Sequence, residues 1–172
     1  MLLAVLHNPV KGFELDVLDV GQGDGIYLHT KEGTNFFFDG GSTDVSKVGT
    51  YRMLPFLKAK GVKKIDYWIV SHTDADHISG LKEILQAEYE INHIVFSKYV
   101  LNDEAYQELL ALAKTYGTEI LKMDCGDTLT DGEAGLRCIF PDKTYKSDDK
   151  NALSLVLRYE DQEFSGIFTG DI

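Results

Sequence analysis

His72-Thr73-Asp74-Ala75-Asp76-His77 places four side chains that commonly bind metal ions within six consecutive residues. Ser71 joins the hexapeptide to residues 65–70, a largely apolar run with β-branched residues that is typical of a buried strand. Apolar residues at helical spacing predict a helix over residues 78–87, directly after the hexapeptide. The six residues therefore form a loop between a buried strand and a helix, where side chains can turn inward together.

Imidazole and carboxylate ligands suit Zn, Mn or Fe better than Ca. Alternate side chains of such a loop can face one ion, so we expect His72 and Asp74 to share one metal and Asp76 and His77 a second. Paired metals roughly 3.5–4 Å apart activate water for hydrolysis. The alternative is a solvated acidic turn with two incidental histidines, and the combination of four ligands between a strand and a helix argues against it.

The pattern outside the loop predicts an α/β fold, with a short antiparallel meander followed by alternating strands and helices. In such sheets, functional groups gather in the loops at the carboxyl ends of strands. Asp39, His72 and Asp171 each follow a predicted strand, so we expect them to converge. Strands are predicted at residues 13–20, 26–30, 35–38, 65–70, 92–96, 153–159 and 164–168, and helices near residues 53–60, at 78–87 and at 103–116.

Two loops have simpler interpretations than a binding site. Residues 21–25 contain three glycines, and without the Lys-Ser/Thr of a P-loop they indicate a tight hairpin turn rather than a phosphate cradle. Asp19, just before this turn, and Asp24, within it, are expected to brace the active-site side of the sheet. Residues 148–150 are expected to form a solvated loop.

Composition limits the function classes. The 172 residues suit one domain, and 28 acidic against 17 basic residues give a formal net charge of −11. This charge argues against a stable nucleic-acid-binding module, whose affinity comes from lysine and arginine contacts to phosphate. It does not exclude an enzyme that meets phosphate through a bound cation.

The sequence contains no run near the roughly 20 apolar residues that span a bilayer, and no signal peptide is recognised. We therefore expect a soluble chain. Cys125 and Cys138 lack the spacing of a CxxC metal site. They are either two reduced thiols, which we favour, or one disulfide.

Residues 71–80 resemble the His-x-His-x-Asp-His signature of metallo-β-lactamase-fold hydrolases, with Asp74 in place of the second histidine. Other motifs resemble more narrowly the extramembrane domain of ComEC-type DNA internalization competence proteins. The resemblance covers nearly the whole chain from Phe13 onward. Its motifs are Leu18-Asp19-Val20-Gly21-Gln22-Gly23-Asp24, Phe38-Asp39-Gly40-Gly41, Leu54-Pro55-Phe56-Leu57 with Gly61-Val62 and Ile65-Asp66, Asn151-Ala152-Leu153-Ser154-Leu155-Val156, and Thr169-Gly170-Asp171.

The resemblance implies a metallo-β-lactamase αββα sandwich over residues 13–172, preceded by an extension over residues 1–12. It also implies one or two divalent ions, Mn or Zn, and a role for each matching residue. Asp74 and Asp76 are further implied as catalytic residues. The implied roles are His72 and Asp74 on the first metal, Asp76 and His77 on the second, Asp171 bridging the two, and Asp39 holding a ligand by hydrogen bonds.

Two departures from the family pattern weaken these expectations. The family places a metal-binding histidine in the middle of the chain, whereas residues 141–155 contain none and offer only Asn151 or Ser154 as a weaker partner. This departure favours a harder metal such as Mn. The family fold also continues past the Gly170-Asp171 turn to a further histidine ligand, so we expect a C-terminally incomplete domain with low metal affinity and low activity on its own.

The implied function is a phosphodiesterase or nuclease that acts on DNA during competence-related DNA uptake. Its implied partner is the membrane channel portion of a longer parent protein, with the side of the membrane left open. One alternative is hydrolysis of another phosphoester or ester, such as a cell-wall phosphoester. Another is a non-catalytic module with a degenerate metal site that binds DNA or a channel partner.

Overall fold

The computed structural model describes residues 12–172, so all but one residue of the expected N-terminal extension over residues 1–12 lies outside the described part. Ten strands and three α-helices form the framework. The strands are β1 (Glu14–Val17), β2 (Ile26–His29), β3 (Asn35–Phe38), β4 (Lys64–Ile69), β5 (Glu90–Ser97), β6 (Glu119–Met123), β7 (Thr128–Asp131), β8 (Ala134–Phe140), β9 (Val156–Glu160) and β10 (Ser165–Phe168). The helices are α1 (Leu54–Lys60), α2 (Ala75–Gln86) and α3 (Glu104–Tyr116).

Two sheets stack on each other. The larger has the order β1-β2-β3-β4-β5-β6, antiparallel from β1 to β3 and parallel from β3 to β6. The smaller has the order β10-β9-β8-β7 and is antiparallel throughout. The parallel strands are joined through helices, as parallel connections require.

Two apolar cores fill the spaces between the helices and the two sheets. One lies between the larger sheet and the three helices, with Trp68, Leu81 and Leu109 fully buried. The other lies between the sheets, where Phe38 stacks on Phe168 at a centroid distance of 3.8 Å and Tyr159 is buried. Within residues 12–172, all three α-helices pack against the larger sheet. The described residues thus form three layers, helix on sheet on sheet.

The α/β fold class is confirmed. The helices α1 and α3 are each followed by a glycine in the left-handed conformation, Gly61 and Gly117. The predicted start of α2 is wrong by three residues, because the helix begins at Ala75 and includes Asp76 and His77 in its first turn. Three strands over residues 119–140 were missing from the prediction. The thiols of Cys125 and Cys138 are both free, which confirms the favoured alternative.

Across residues 12–172, no helix has the length and apolar character needed to cross a membrane.

Candidate metal centre

The candidate site lies where the ends of three strands meet the start of α2. Asp39 follows β3, Asp171 lies three residues after β10, and His72 lies in the loop that leaves β4. His77 projects from the first turn of α2. The larger sheet therefore contributes Asp39 and His72, and the smaller sheet contributes Asp171 across the gap between the layers.

Close backbone contacts hold these loops together. A Cβ atom on Gly41 would come within 2.4 Å of the backbone of Asp76, so only glycine lets the loop after β3 lie against α2. Gly170 has a φ of +56°, and a Cβ there would lie 2.7 Å from Cβ of Ser71. This contact sets Asp171 beside the loop that carries His72.

His77 is held by carboxylates at both ring nitrogens. Its Nδ1 lies 3.1 Å from Oδ2 of Asp39, and its Nε2 lies 3.2 Å from Oδ1 of Asp171. The other oxygen of Asp39 accepts a hydrogen bond of 2.8 Å from the backbone N–H of Ser71. Asp39 itself has a φ of +55°, a conformation that costs a non-glycine residue energy and concentrates at functional sites.

The two carboxylates dominate the protonation of His77. Burial alone lowers the pKa of its imidazole, but the hydrogen bond to Asp39 and the charges of Asp39 and Asp171 outweigh it and raise the pKa to about 9. Without a metal, the ring is therefore a cation at neutral pH. A metal ion at Nε2 would replace that proton while Asp39 keeps the proton on Nδ1.

His72 has a different environment. Its Nδ1 lies 3.0 Å from the hydroxyl of Ser71 and 3.3 Å from the hydroxyl of Ser154. Its Nε2 is buried, has no hydrogen-bond partner in the described part of the chain, and lies 3.7 Å from Asp74 and 3.8 Å from Asp171. Burial, followed by the charge of His77, lowers the pKa of His72 below its ordinary value, so the ring stays neutral and keeps a lone pair.

These atoms fit a divalent metal ion. His72, His77 and Asp171 each offer one ligand atom, and the three atoms lie within 4.8 Å of one another. A buried imidazole nitrogen without a partner is unusual in a folded protein, and a metal bond would satisfy it. Two imidazoles and one carboxylate suit Zn, Mn or Fe.

Asp24 lies at the candidate site, although the sequence predicted for it only a role in bracing the sheet. Its carboxylate belongs to a second group of candidate ligand atoms with Asp39 and His77. Its backbone N–H donates to the carbonyl of Asp76, and its own carbonyl accepts from the N–H of Gly41. The glycine-rich turn is thus packed on the start of α2, and burial, together with the charge of Asp39, raises the pKa of Asp24. By contrast, Asp19 pairs with Arg52 and is mostly exposed.

Other predicted site residues lie at the edge of the cluster, the name used here for His72, His77 and Asp171. Asp76 is half-buried in the first turn of α2, and its carboxylate is in neither group of candidate ligand atoms. Asn151 opens a short 3-10 turn, and its backbone N–H donates to Asp149. One oxygen of Asp74 faces His72, and the other pairs with Lys150 at 2.9 Å. The roles assigned to Asp74, Asp76 and Asn151 stay predictions.

A cleft of about 450 Å³ opens between the edge strands of the two sheets and reaches Asp24 and Asp39, which belong to the second group of candidate ligand atoms. Asp24, Asp39 and Ser71 line its polar end. Apolar side chains from β1 and β10, including Val17 and Ile167, line the rest. The volume lies within the range of small-molecule sites.

Sequence comparisons agree with this geometry. Residues 18–98 match the family model of the metallo-beta-lactamase superfamily. ComE operon protein 3 of Bacillus subtilis (strain 168) is 30% identical over 172 residues, an alignment that covers 92% of this chain and 22% of that protein. Recombination protein 2 of Haemophilus influenzae is 32% identical over 99 residues, covering 57% of this chain and 12% of that protein. The chain thus spans under a quarter of either relative.

A structural comparison supports the fold. The metallo-beta-lactamase fold protein YhfI from Bacillus subtilis superposes with a TM-score of 0.60 at 16% identity, covering 91% of this chain and 62% of that chain. At this level of identity the likeness concerns the arrangement of strands and helices.

Proposed function

We propose, on the premise that this chain is a metallo-β-lactamase-fold domain of the ComEC type, that it is a metal-dependent phosphodiesterase that acts on DNA. The fold is of the hydrolase type. The substrate, the metal and the roles of individual residues are the proposal.

One observation carries the proposal. The Nε2 atoms of two buried histidines face the same carboxylate, that of Asp171, at 3.8 Å and 3.2 Å. A structural histidine would instead use its nitrogens in hydrogen bonds to the backbone or solvent. A divalent metal bound there would act as a Lewis acid that polarises a phosphoryl oxygen and activates water.

Each side chain around the cluster has a distinct task in this proposal. Asp39 accepts a hydrogen bond from the Nδ1–H group of His77 and so aims Nε2 into the cluster. The hydroxyl of Ser154 lies 3.3 Å from Nδ1 of His72 and helps to fix that ring with Nε2 free for the metal. Asp74 and Asp76 are half-buried, and we assign Asp74 the task of orienting the attacking water and Asp76 that of accepting its proton.

The cleft suits a phosphodiester with an apolar part. Its polar end would place the phosphate at the cluster, and its apolar walls from β1 and β10 would contact the sugar and base. The site itself is acidic, so recognition of a polyanion depends on the cation. DNA is the proposed substrate because the two curated relatives agree with a ComEC-type domain.

A smaller phosphoester is the second candidate, and the net charge of −11 favours it. An acidic surface repels a long polyanion over many ångströms, whereas a small monoanionic diester meets much less of that field. Such a substrate would use the same cluster.

The parent protein is also part of the proposal. Because the chain spans 22% of ComE operon protein 3, we propose that it is one domain of a longer membrane-associated protein and acts next to a membrane channel.

The test is hydrolysis of labelled DNA and of bis(p-nitrophenyl) phosphate by the chelator-treated chain, with and without added Mn²⁺ or Zn²⁺. We expect metal-dependent cleavage of both, with DNA cleaved faster per phosphodiester. His77→Gln should lower the rate at least about 100-fold, because it removes a ligand and its link to Asp39. His93→Gln, a histidine on β5 remote from the cluster, is the matched control.

Faster turnover of the small diester than of DNA would favour the second candidate. Cleavage that survives chelation, or is equal in His77→Gln and the control, would overturn the metal-dependent mechanism.

A further inference from the structure

We infer that Lys150 supplies a fixed positive charge at the Asp74 side of the cluster, so that the centre holds one divalent ion instead of two. This inference rests on the proposed function, since it concerns the same centre. The loop over residues 148–150 was expected to be solvated, yet the structure brings its lysine to a carboxylate of the metal motif.

The ammonium group of Lys150 bridges two carboxylates. Its Nζ lies 2.9 Å from Oδ1 of Asp74 and 2.7 Å from Oδ2 of Asp103. These distances are those of charge-assisted hydrogen bonds. A compact ammonium between two carboxylates is a cation held in place by the fold.

The far carboxylate is itself held firmly. Asp103 caps the N-terminus of α3, where its Oδ1 accepts from the backbone N–H of Tyr106 at 2.8 Å. Its Oδ2 also accepts from the hydroxyl of Thr73, which is buried, at 3.1 Å. Lys150 is therefore anchored to α3 and to the loop of the metal motif together.

The position of Lys150 along the chain supports the same conclusion. Lys150 directly precedes the 3-10 turn Asn151–Leu153, and Ser154, which directly follows that turn, is the residue whose hydroxyl contacts Nδ1 of His72. One short segment thus holds the His72 ring on one side and neutralises Asp74 on the other.

A second ion would need the same ligands that this segment occupies. Two ions would have to divide the ligands between them, and one of the ions would take Nε2 of His72 with Asp74, whose Oδ2 lies 3.7 Å from that nitrogen. The other oxygen of Asp74 is already paired with an ammonium group, which would repel a divalent ion beside it. A single ion therefore keeps Nε2 of both histidines and the carboxylate of Asp171, and the lysine takes the place of the other cation.

A purely structural role for Lys150 makes a different prediction. If the ion pairs only pin the loop to α3, replacing the lysine would change stability but not the number of metal ions. Counting ions separates these readings without any substrate.

The experiment is Mn²⁺ binding to the chain alone, with affinities from titration calorimetry and ion counts from native mass spectrometry. We expect one ion in the wild type. Lys150→Met should admit a second ion at least about tenfold more tightly than any second event in the wild type, because Asp74 is released and the repelling charge is gone. Lys150→Arg should keep one ion. Lys146→Met, which removes a lysine from the same loop, is the matched control and should also keep one ion.

Two ions of similar affinity in the wild type would overturn the inference and leave the proposed function standing. This outcome is read from the wild-type chain alone, without any variant. A folded Lys150→Met with the wild-type count and affinities would also overturn it. One ion without hydrolysis of any diester would contradict the proposed function while the inference stands. No ion in the wild type would overturn both.

Discussion

The two histidines of the cluster are held in contrasting ways. His77 lies between two carboxylates, Asp39 and Asp171, and its pKa is raised to about 9. His72 is held by serine hydroxyls, and its pKa is lowered by burial. Both rings are almost fully buried, and their centroids are 4.0 Å apart, so the difference comes from their partners and not from exposure.

This contrast shows that the centre is asymmetric. On the His77 side, the carboxylates of Asp39 and Asp171 concentrate negative charge, and without a metal they keep the imidazole itself protonated. On the His72 side, the nearby carboxylate of Asp74 is already paired with Lys150. The strongest metal ligands are therefore expected on the His77 side, with His72 completing the coordination.

The largest effect should come from Asp171, the residue that joins the two sides. Asp171→Asn removes the charge shared by both Nε2 atoms, and we expect Mn²⁺ affinity to fall at least about 100-fold. Titration calorimetry measures this directly. Asp148→Asn, an exposed aspartate, controls for net charge, and an equal loss in both variants would show that Asp171 is no ligand.

Asp39 should come next. Asp39→Asn can keep the hydrogen bond from Ser71 but loses the charge that supports the His77 imidazole, so we expect a loss of about 10- to 100-fold in Mn²⁺ affinity. The matched measurement is the pKa of His77 by NMR in the metal-free protein. That pKa should fall from about 9 in the variant, and an unchanged pKa would contradict the role of Asp39.

The pH dependence of stability should differ in sign between the two histidines. In the metal-free protein, the raised pKa of His77 stabilises the fold fully below pH 6.5, and this stabilisation is lost as the pH rises through about 9. Urea unfolding with chelator should show the free energy of unfolding decline by roughly 3 kcal/mol over that range. The lowered pKa of His72 has the opposite effect. The fold loses stability as the pH falls below 6.5, because the unfolded chain then binds a proton at His72 more readily than the folded chain does. His77→Gln should flatten the alkaline decline, whereas His93→Gln should retain it.

The smallest effect should come from the hydroxyl on the His72 side. Ser154→Ala removes one neutral contact of 3.3 Å, and Ser71 remains on the same nitrogen, so Mn²⁺ affinity should fall only a few-fold, about 1 kcal/mol. A loss as large as that of Asp39→Asn would remove the asymmetry on which this account rests.

Much of the framework could be predicted from sequence, because each element has a local signal. The strand β4 is mostly apolar and largely buried, and Asp103 and Gly117 mark the ends of α3. Convergence at strand ends brought Asp39, His72 and Asp171 together in the prediction, and the structure places all three at the candidate site. The matches to the two curated relatives confirm the resemblance drawn from the motifs.

The errors also have physical causes. The first turn of α2 consists of Ala75, Asp76 and His77, which lack the apolar periodicity that marked the rest of the helix. The strand β7 alternates polar residues with a single leucine, which makes a weak pattern. Lys150 is distant in sequence from both of its partners, Asp74 and Asp103, so only the tertiary fold reveals the ion pairs.

Anomalous X-ray diffraction from crystals of the chain grown with Mn²⁺ would test the central claim most directly. The account predicts one strong peak, coordinated by Nε2 of His72, Nε2 of His77 and the carboxylate of Asp171, with Lys150 still paired to Asp74. A Mn²⁺-bound crystal with no peak at these three residues, or with a second peak of equal height between His72 and Asp74, would contradict it.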